Sequence, residues 1–179
     1  MKHFILILTI FIFAACKKAN NNVDVLPPIT QTGAGTFGCL INGKVYLPKG
    51  FQQNRPSFQV EVDANFNDGS FGVTFFNISN DKRVDFTIGS DSIRSTGYYE
   101  ITNTTRAGVF FAVKSPPTIP ICSFLSHSSP SSIGFLKVTR YDLTNRIFSG
   151  EFEFHFVNPD CGLGDTVHIT QGRFDKHIN

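Results

Sequence analysis

The sequence predicts an all-β fold: an antiparallel sandwich or a flattened barrel of about ten short strands. From residue 36 onward apolar and polar residues alternate, the period of a half-buried strand. No window carries apolar residues at the helical spacing i, i+3, i+4 and i+7, and turn-forming residues separate the alternating runs. The chain has 179 residues, of which 41% are hydrophobic and 20 are Phe, so it suits one domain with a large core. Both architectures have the same alternation, so the sequence leaves the choice open.

The first sixteen residues have the pattern of a lipoprotein signal. Lys2 is followed by an apolar run over residues 4–13, and Ala14-Ala15 precede Cys16. The run is too short to span a bilayer but matches the apolar region of a secretory signal. The segment resembles the lipobox of bacterial lipoproteins, in which the cysteine thiolate accepts diacylglycerol. This predicts removal of residues 1–15 and a membrane anchor on Cys16; an ordinary signal peptide with an incidental cysteine is the alternative.

Residues 16–35 are predicted to be the lipidated cysteine and a flexible tether, followed by a single all-β domain over 36–179. The tether sequence is rich in Asn, Pro, Thr and Gly and has no apolar period. The expected location is the outer membrane of a bacterial envelope. Lys17-Lys18 follow the cysteine, where some surface lipoproteins carry acidic residues, which favours the periplasmic face over the cell surface.

The strands are predicted in order along the chain. The first pair, 36–41 and 44–47, is joined by Asn42-Gly43, whose residues tolerate the positive φ of a type I′ turn. The strands 58–66 and 71–78 follow, joined by residues 67–70. The remaining strands are predicted at 83–88, 97–102, 108–114, 133–141, 147–157 and 166–170. In 147–157 one face carries Phe148, Gly150, Phe152, Phe154 and Phe156.

Three adjacent aromatic pairs interrupt the simple alternation: Phe75-Phe76, Tyr98-Tyr99 and Phe110-Phe111. Neighbours in a strand point to opposite faces, so one ring of each pair must leave the main core. The simpler expectation is that residues 115–132, which are rich in apolar side chains, cover these outer rings. The alternative is that they line a barrel interior or form an exposed aromatic patch that binds a ligand or partner.

Three cysteines remain besides Cys16, so at most one disulfide forms within the chain. Cys122 and Cys161 are the favoured pair because each lies in a loop-like segment containing Pro or Gly. Cys39 falls inside the first predicted strand, where a free thiol behaves as a small apolar side chain.

Candidate chemical motifs are weak. Residues 63–69 resemble a calcium loop, but the Gly is one place late and no Glu follows at the twelfth position, so a turn explains them better. His127, His155, His168 and His177 lack metal-ligand spacing, although His155 and His168 could meet across a hairpin. Glu151 and Glu153 share one face and would need a cleft to act as paired carboxylates.

The sequence therefore predicts no metal site and no cofactor. Ser126-His127-Ser128 lacks the Gly-x-Ser-x-Gly elbow of a hydrolase nucleophile. The formal net charge of +2 gives no basis for a nucleic-acid partner.

Three stretches carry a resemblance that spans most of the mature chain: residues 36–48 (TFGCLINGKVYLP), 148–154 (FSGEFEF) and 167–175 (VHITQGRFD). Together they resemble small lipoproteins of Bacteroidota. The resemblance implies a secreted, lipid-anchored all-β domain and implies no catalytic residues.

Two classes of function fit these observations. The favoured one is a noncatalytic envelope module that binds a glycan, a hydrophobic small molecule or a protein partner, with the membrane bound through Cys16. The alternative is an envelope enzyme whose site is assembled from scattered Asp, Glu and His. Converging carboxylates or histidines in a pocket would favour the enzyme, whereas an aromatic platform would favour binding.

Overall fold

The computed structural model describes residues 24–52, 54–66, 69–126, 132–157 and 166–178. The predicted signal, Cys16, His127 and Cys161 lie outside these residues. Within them the chain forms strands and no helix. The strands are β1 Ala34–Ile41, β2 Lys44–Tyr46, β3 Phe51–Gln52, β4 Arg55–Pro56, β5 Phe58–Asp63, β6 Ser70–Ser79, β7 Lys82–Ser90, β8 Gly97–Ile101, β9 Ala107–Lys114, β10 Pro120–Leu125, β11 Ile133–Asp142, β12 Ile147–Val157 and β13 Thr166–His177.

Two antiparallel sheets make up the domain. Sheet A has six strands in the order β2-β1-β13-β12-β11-β8, and sheet B has five in the order β10-β9-β7-β6-β5. β3 and β4 form a separate two-stranded hairpin. The prediction of an all-β antiparallel fold is confirmed. The edge strands of sheet A do not pair with those of sheet B, so the architecture is a sandwich and not a closed barrel.

Phenylalanine rings from both sheets fill the space between them. Phe152 of β12 lies 5.2 Å from Phe86 of β7 and 5.6 Å from Phe37 of β1, measured between ring centroids. Phe148, also on β12, lies 5.0 Å from Phe71 of β6. All these rings are buried. The predicted phenylalanine face of β12 is therefore the centre of the core, where each large ring removes apolar surface from water.

Turn chemistry sets where several strands end. The predicted Asn42-Gly43 turn is confirmed, because both residues have positive φ, 48° and 77°. β5 ends three residues earlier than predicted because the Asp63 carboxylate accepts hydrogen bonds from the amides of Asn65 and Phe66, which turns the chain. β13 is longer than predicted. It continues past Thr170 through an irregularity at Gln171, whose φ is 51°.

The N-terminal segment, residues 24–33, lies on the outer face of sheet A. The carbonyl oxygen of Pro27 accepts a hydrogen bond from Arg173 of β13, and that of Gln31 accepts one from Arg140 of β11. The Asp175 carboxylate accepts hydrogen bonds from the backbone amides of Thr32, Gly33 and Ala34. The flexible tether was predicted to extend to Gly35, but the structure gives the last part of that stretch a fixed place on the sandwich.

Candidate binding surface

The outer face of sheet A carries the side chains that alternate with the core residues. Across β8, β11, β12 and β13, register places Tyr98, Lys137, Glu151 and Arg173 in one row. Each of these residues is next to a core residue in sequence, so the period of two turns it outward. The row combines an aromatic ring with charges of both signs.

Tyr98 is the most exposed ring on this face. Its side chain is 66% exposed, and its ring stacks on that of Phe135 with centroids 4.9 Å apart and an interplanar angle of 22°. Because Phe135 covers one side and the residue is still two-thirds exposed, the other side of the Tyr98 ring is open to solvent. The two rings form an aromatic platform at the edge of sheet A.

A shallow groove of about 490 Å³ lies beside this platform. We call it the Tyr98 groove. Its lining consists of Gln31, Gly97, Tyr98, Lys137, Val138, Thr139 and Glu151. Lys137 and Thr139 both line it because they are two residues apart on β11, and alternation turns their side chains to the same face. The irregularity in β11 between Val138 and Arg140 turns the Arg140 side chain to this face as well, where it hydrogen-bonds to Gln31.

The N-terminal segment completes the wall of the Tyr98 groove. Gln31 lines the groove, and its carbonyl oxygen accepts a hydrogen bond of 2.5 Å from the Arg140 guanidinium. On the floor, the Lys137 ammonium and the Glu151 carboxylate form an ion pair of 3.0 Å. The groove therefore offers a cation, a carboxylate, an amide and a hydroxyl next to an aromatic face.

The rings of the three aromatic pairs differ in how far they are buried. Phe75 and Phe111 are core residues, and Tyr99 packs against the core while its hydroxyl donates to the Ser95 carbonyl oxygen. Of the outward rings, Phe110 is half-buried and Phe76 is buried. Only Tyr98 among these six residues is freely exposed.

The expected cover over the outer rings is wrong for Phe76. The Arg83 guanidinium lies 4.5 Å from the centre of the Phe76 ring and hydrogen-bonds to Gln52 of β3. Residues 115–132 instead contribute β10, which pairs with β9 at the edge of sheet B. An edge strand extends a sheet sideways and does not cover its face.

A second cleft, of about 410 Å³, lies between the N-terminal segment and the β4–β5 region. Its floor includes the core rings Phe37 and Phe58, and Leu47 and Pro56 form part of its walls. The Lys176 ammonium lies 5.2 Å from the centre of the Phe58 ring, at the side of this cleft. Its lining also includes the polar residues Thr36 and Ser57, but both of its aromatic rings are buried.

The carboxylates considered for catalysis have separate partners. Glu151 pairs with Lys137, and Glu153 accepts a hydrogen bond from the Gln171 amide at 3.2 Å. Across the part of the chain that the structure describes, no group of three or more His, Cys, Asp or Glu is placed to hold a metal ion. His155 and His168 do meet across neighbouring strands, as their positions in the sequence suggested.

Two of the cysteines, Cys39 and Cys122, lie among the described residues and differ in their bonding state. Cys39 is a free thiol in the core, and burial raises its pKa well above the usual range, so it is unreactive in the folded chain. Cys122 is disulfide-bonded. Its pairing with Cys161 stays a prediction because Cys161 lies outside the described residues.

Sequence reasoning missed several residues of the Tyr98 groove. Phe135 and Lys137 were within reach, because alternation with the buried Leu136 turns both outward. Thr139 was also within reach, by alternation with the buried Val138, but Gln31 was not, since its position depends on the path of the N-terminal segment. Comparison with known protein families, with curated proteins and with solved structures finds no match to this chain.

Proposed function

We propose that this protein is a noncatalytic, lipid-anchored module of the bacterial cell envelope that binds a glycan in the Tyr98 groove. The observation that carries the proposal is the open face of Tyr98, held in place by Phe135 beside a groove with polar walls. Sequence offers no other support for a specific ligand class.

The chemistry of the groove fits a sugar better than the other candidate ligands. One face of a pyranose ring presents C–H groups that pack on an aromatic ring, while its hydroxyls need donors and acceptors at the rim. The Tyr98 ring provides the first, and Lys137, Thr139 and Glu151 provide the second. A hydrophobic small molecule prefers an enclosed apolar pocket, and a protein partner needs roughly 800 Å² of surface on each side. An open groove of about 490 Å³ suits one or two sugar units.

The test is a glycan array followed by calorimetry on the glycans retained. Tyr98→Ala should weaken binding at least about tenfold, roughly 1.4 kcal/mol, because the stacking face is lost. Tyr98→Phe keeps the ring and should retain most of the affinity.

Phe51→Ala is the matched control, since Phe51 is 68% exposed but lies on the β3–β4 hairpin, away from sheet A. Affinity should be unchanged in this variant. Failure of the native chain to retain any glycan, or full affinity in Tyr98→Ala, contradicts the proposal.

The envelope location rests on the lipobox ending at Cys16 and on the resemblance to small lipoproteins of Bacteroidota. The proposed anchor is the acylated Cys16 in the outer membrane, with the periplasmic face favoured by Lys17-Lys18. None of the described segments forms a helix of the length and apolarity that crossing a membrane would take. The enzyme alternative lacks support among the described residues because their carboxylates do not converge.

A further inference from the structure

His155 and His168 form a close pair on the outer face of sheet A, outside the Tyr98 groove. They are direct partners in the register of β12 and β13. Their Nδ1 atoms lie 2.6 Å apart, and their rings are nearly perpendicular, at 80°. His168 is exposed and His155 is half-buried, so solvent reaches the pair.

The backbone holds both histidines in place. His155 lies between Phe154 and Phe156, and His168 lies between Val167 and Ile169, all four buried in the core. The β1–β2 turn fixes the second strand further: the His168 amide donates to Asn42 Oδ1 at 2.8 Å, and the Asn42 amide donates to the His168 carbonyl oxygen at 2.8 Å. Two imidazoles on a rigid support are thus preorganised toward one point.

We propose that His155 and His168 bind a divalent transition-metal ion, with water completing its coordination. Imidazole nitrogen is a ligand that Cu²⁺, Ni²⁺ and Zn²⁺ all accept, and Cu²⁺ binds such sites most tightly. With metal–nitrogen distances of about 2.0–2.1 Å, two nitrogens on one ion lie about 3 Å apart. The present separation of 2.6 Å needs only a small rotation of the rings to reach this value.

The proton balance of the step is simple. When both rings are neutral, the hydrogen bond between them requires one ring to carry its proton on Nδ1 and donate it to the other ring's Nδ1. When the metal binds, that ring moves its proton to Nε2 through solvent. Both Nδ1 lone pairs then face the ion, and neutral rings release no net proton. An ion bound here would bridge two neighbouring strands.

Isothermal titration calorimetry with Cu²⁺, Zn²⁺ and Mg²⁺ tests the site on the predicted mature chain, residues 16–179. Every variant carries Cys16→Ser, because a free thiol at that position would itself bind copper. We expect one Cu²⁺ per chain, weaker binding of Zn²⁺, and none of Mg²⁺. His155→Gln and His168→Gln should each weaken Cu²⁺ binding at least about tenfold, and ¹H NMR should show loss of the histidine Cε1–H signals of this pair first.

His177→Gln is the matched control, since it removes an exposed histidine of β13 that is not part of the pair. Its affinity should equal that of the parent chain, and thermal unfolding should confirm that all variants fold. Absence of saturable Cu²⁺ binding overturns the proposal and leaves the pair as a hydrogen bond between two rings. Equal affinity in the parent chain and in both pair variants also overturns it, because the ion would then be bound elsewhere.

Discussion

Asp175 joins the N-terminal segment to the sandwich. The residue is 1% exposed, and its carboxylate accepts hydrogen bonds from the Thr30 and Ser149 hydroxyls as well as from three backbone amides. Burial by itself would raise the pKa of Asp175, but these hydrogen bonds outweigh it and hold the pKa well below the usual range. The charged form is therefore the one that the folded chain stabilises.

Asp175→Asn should destabilise the fold by about 2–3 kcal/mol. The Asn side chain has one acceptor oxygen where Asp has two, and its NH₂ group would face the N–H and O–H donors that now bind the carboxylate. Urea unfolding measures this loss. Hydrogen exchange should also show faster exchange at the amides of Thr32, Gly33 and Ala34. Asp63→Asn is the control: the Asp63 carboxylate also accepts hydrogen bonds from two backbone amides, but these belong to its own turn and not to the N-terminal segment. Unchanged exchange in Asp175→Asn would show that other contacts hold the segment.

The lowered pKa of Asp175 also predicts a dependence of stability on pH. A carboxyl whose pKa is lower in the folded than in the unfolded chain stabilises the fold above its unfolded pKa, which for Asp is about 3.9. The difference in unfolding free energy between the native chain and Asp175→Asn should stay constant from about pH 8 to 5 and shrink below about pH 4. A difference that grows on acidification would contradict this assignment.

At the scale of elements, two glycines let the phenylalanine rings of neighbouring strands interlock. A Cβ placed on Gly150 would lie 2.7 Å from the Phe174 ring, and one on Gly172 would lie 2.3 Å from the Phe152 ring. Gly150 therefore leaves a gap in the phenylalanine face of β12 that the Phe174 ring fills. In the register of β12 and β13, Gly172 lies opposite Phe152 and Gly150 lies opposite Phe174. At both positions, a ring of one strand fills the space that a glycine of the other strand leaves.

Gly172→Ala should destabilise the chain by about 1–3 kcal/mol, because the buried Phe152 ring has no room to move aside. Thermal or urea unfolding provides the measurement. Gly72→Ala is a matched control in β6, where a Cβ would meet nothing within 4 Å. That substitution should be close to neutral, and equal losses in the two variants would exclude packing as the cause.

Most strands could be predicted from alternation, but three could not. β3 and β4 have two residues each, too short for any period to be visible. β10 alternates buried Cys122 and Phe124 with exposed side chains, but its exposed positions include Ile121 and Leu125. Because both faces of β10 are partly apolar, its sequence resembled a covering segment. Only the fold reveals that this segment is an edge strand of sheet B, with Ile121 and Leu125 exposed.

At the scale of the whole molecule, the N-terminal segment decides how far the domain can lie from its proposed anchor. Pro27 is hydrogen-bonded to Arg173 on sheet A, so ten residues, 17–26, separate it from Cys16. Even fully extended, ten residues span at most about 35 Å. The chain would then leave the sandwich near Pro27, on the face of sheet A that carries the Tyr98 groove, at most about 35 Å from the proposed anchor.

Cys16→Ser should release the protein from the membrane fraction, because two or more acyl chains account for stable anchoring and no other anchor is proposed. Cell fractionation followed by immunoblotting measures the shift. Cys39→Ser is the control, since it changes a cysteine in the core, and that variant should remain in the membrane fraction. Continued membrane association of Cys16→Ser would contradict the lipid anchor.

The sequence by itself determined the all-β class, the Asn42-Gly43 turn and the phenylalanine face of β12, because these depend on residues close together in the chain. It also indicated that one ring of each aromatic pair must leave the core. Only the tertiary structure decided which outer ring stays exposed, since Arg83 covers Phe76 whereas Phe135 supports Tyr98 from one side. The choice of a sandwich, the Tyr98 groove and the histidine pair likewise depend on register between strands, which brings together residues that sequence spacing leaves apart.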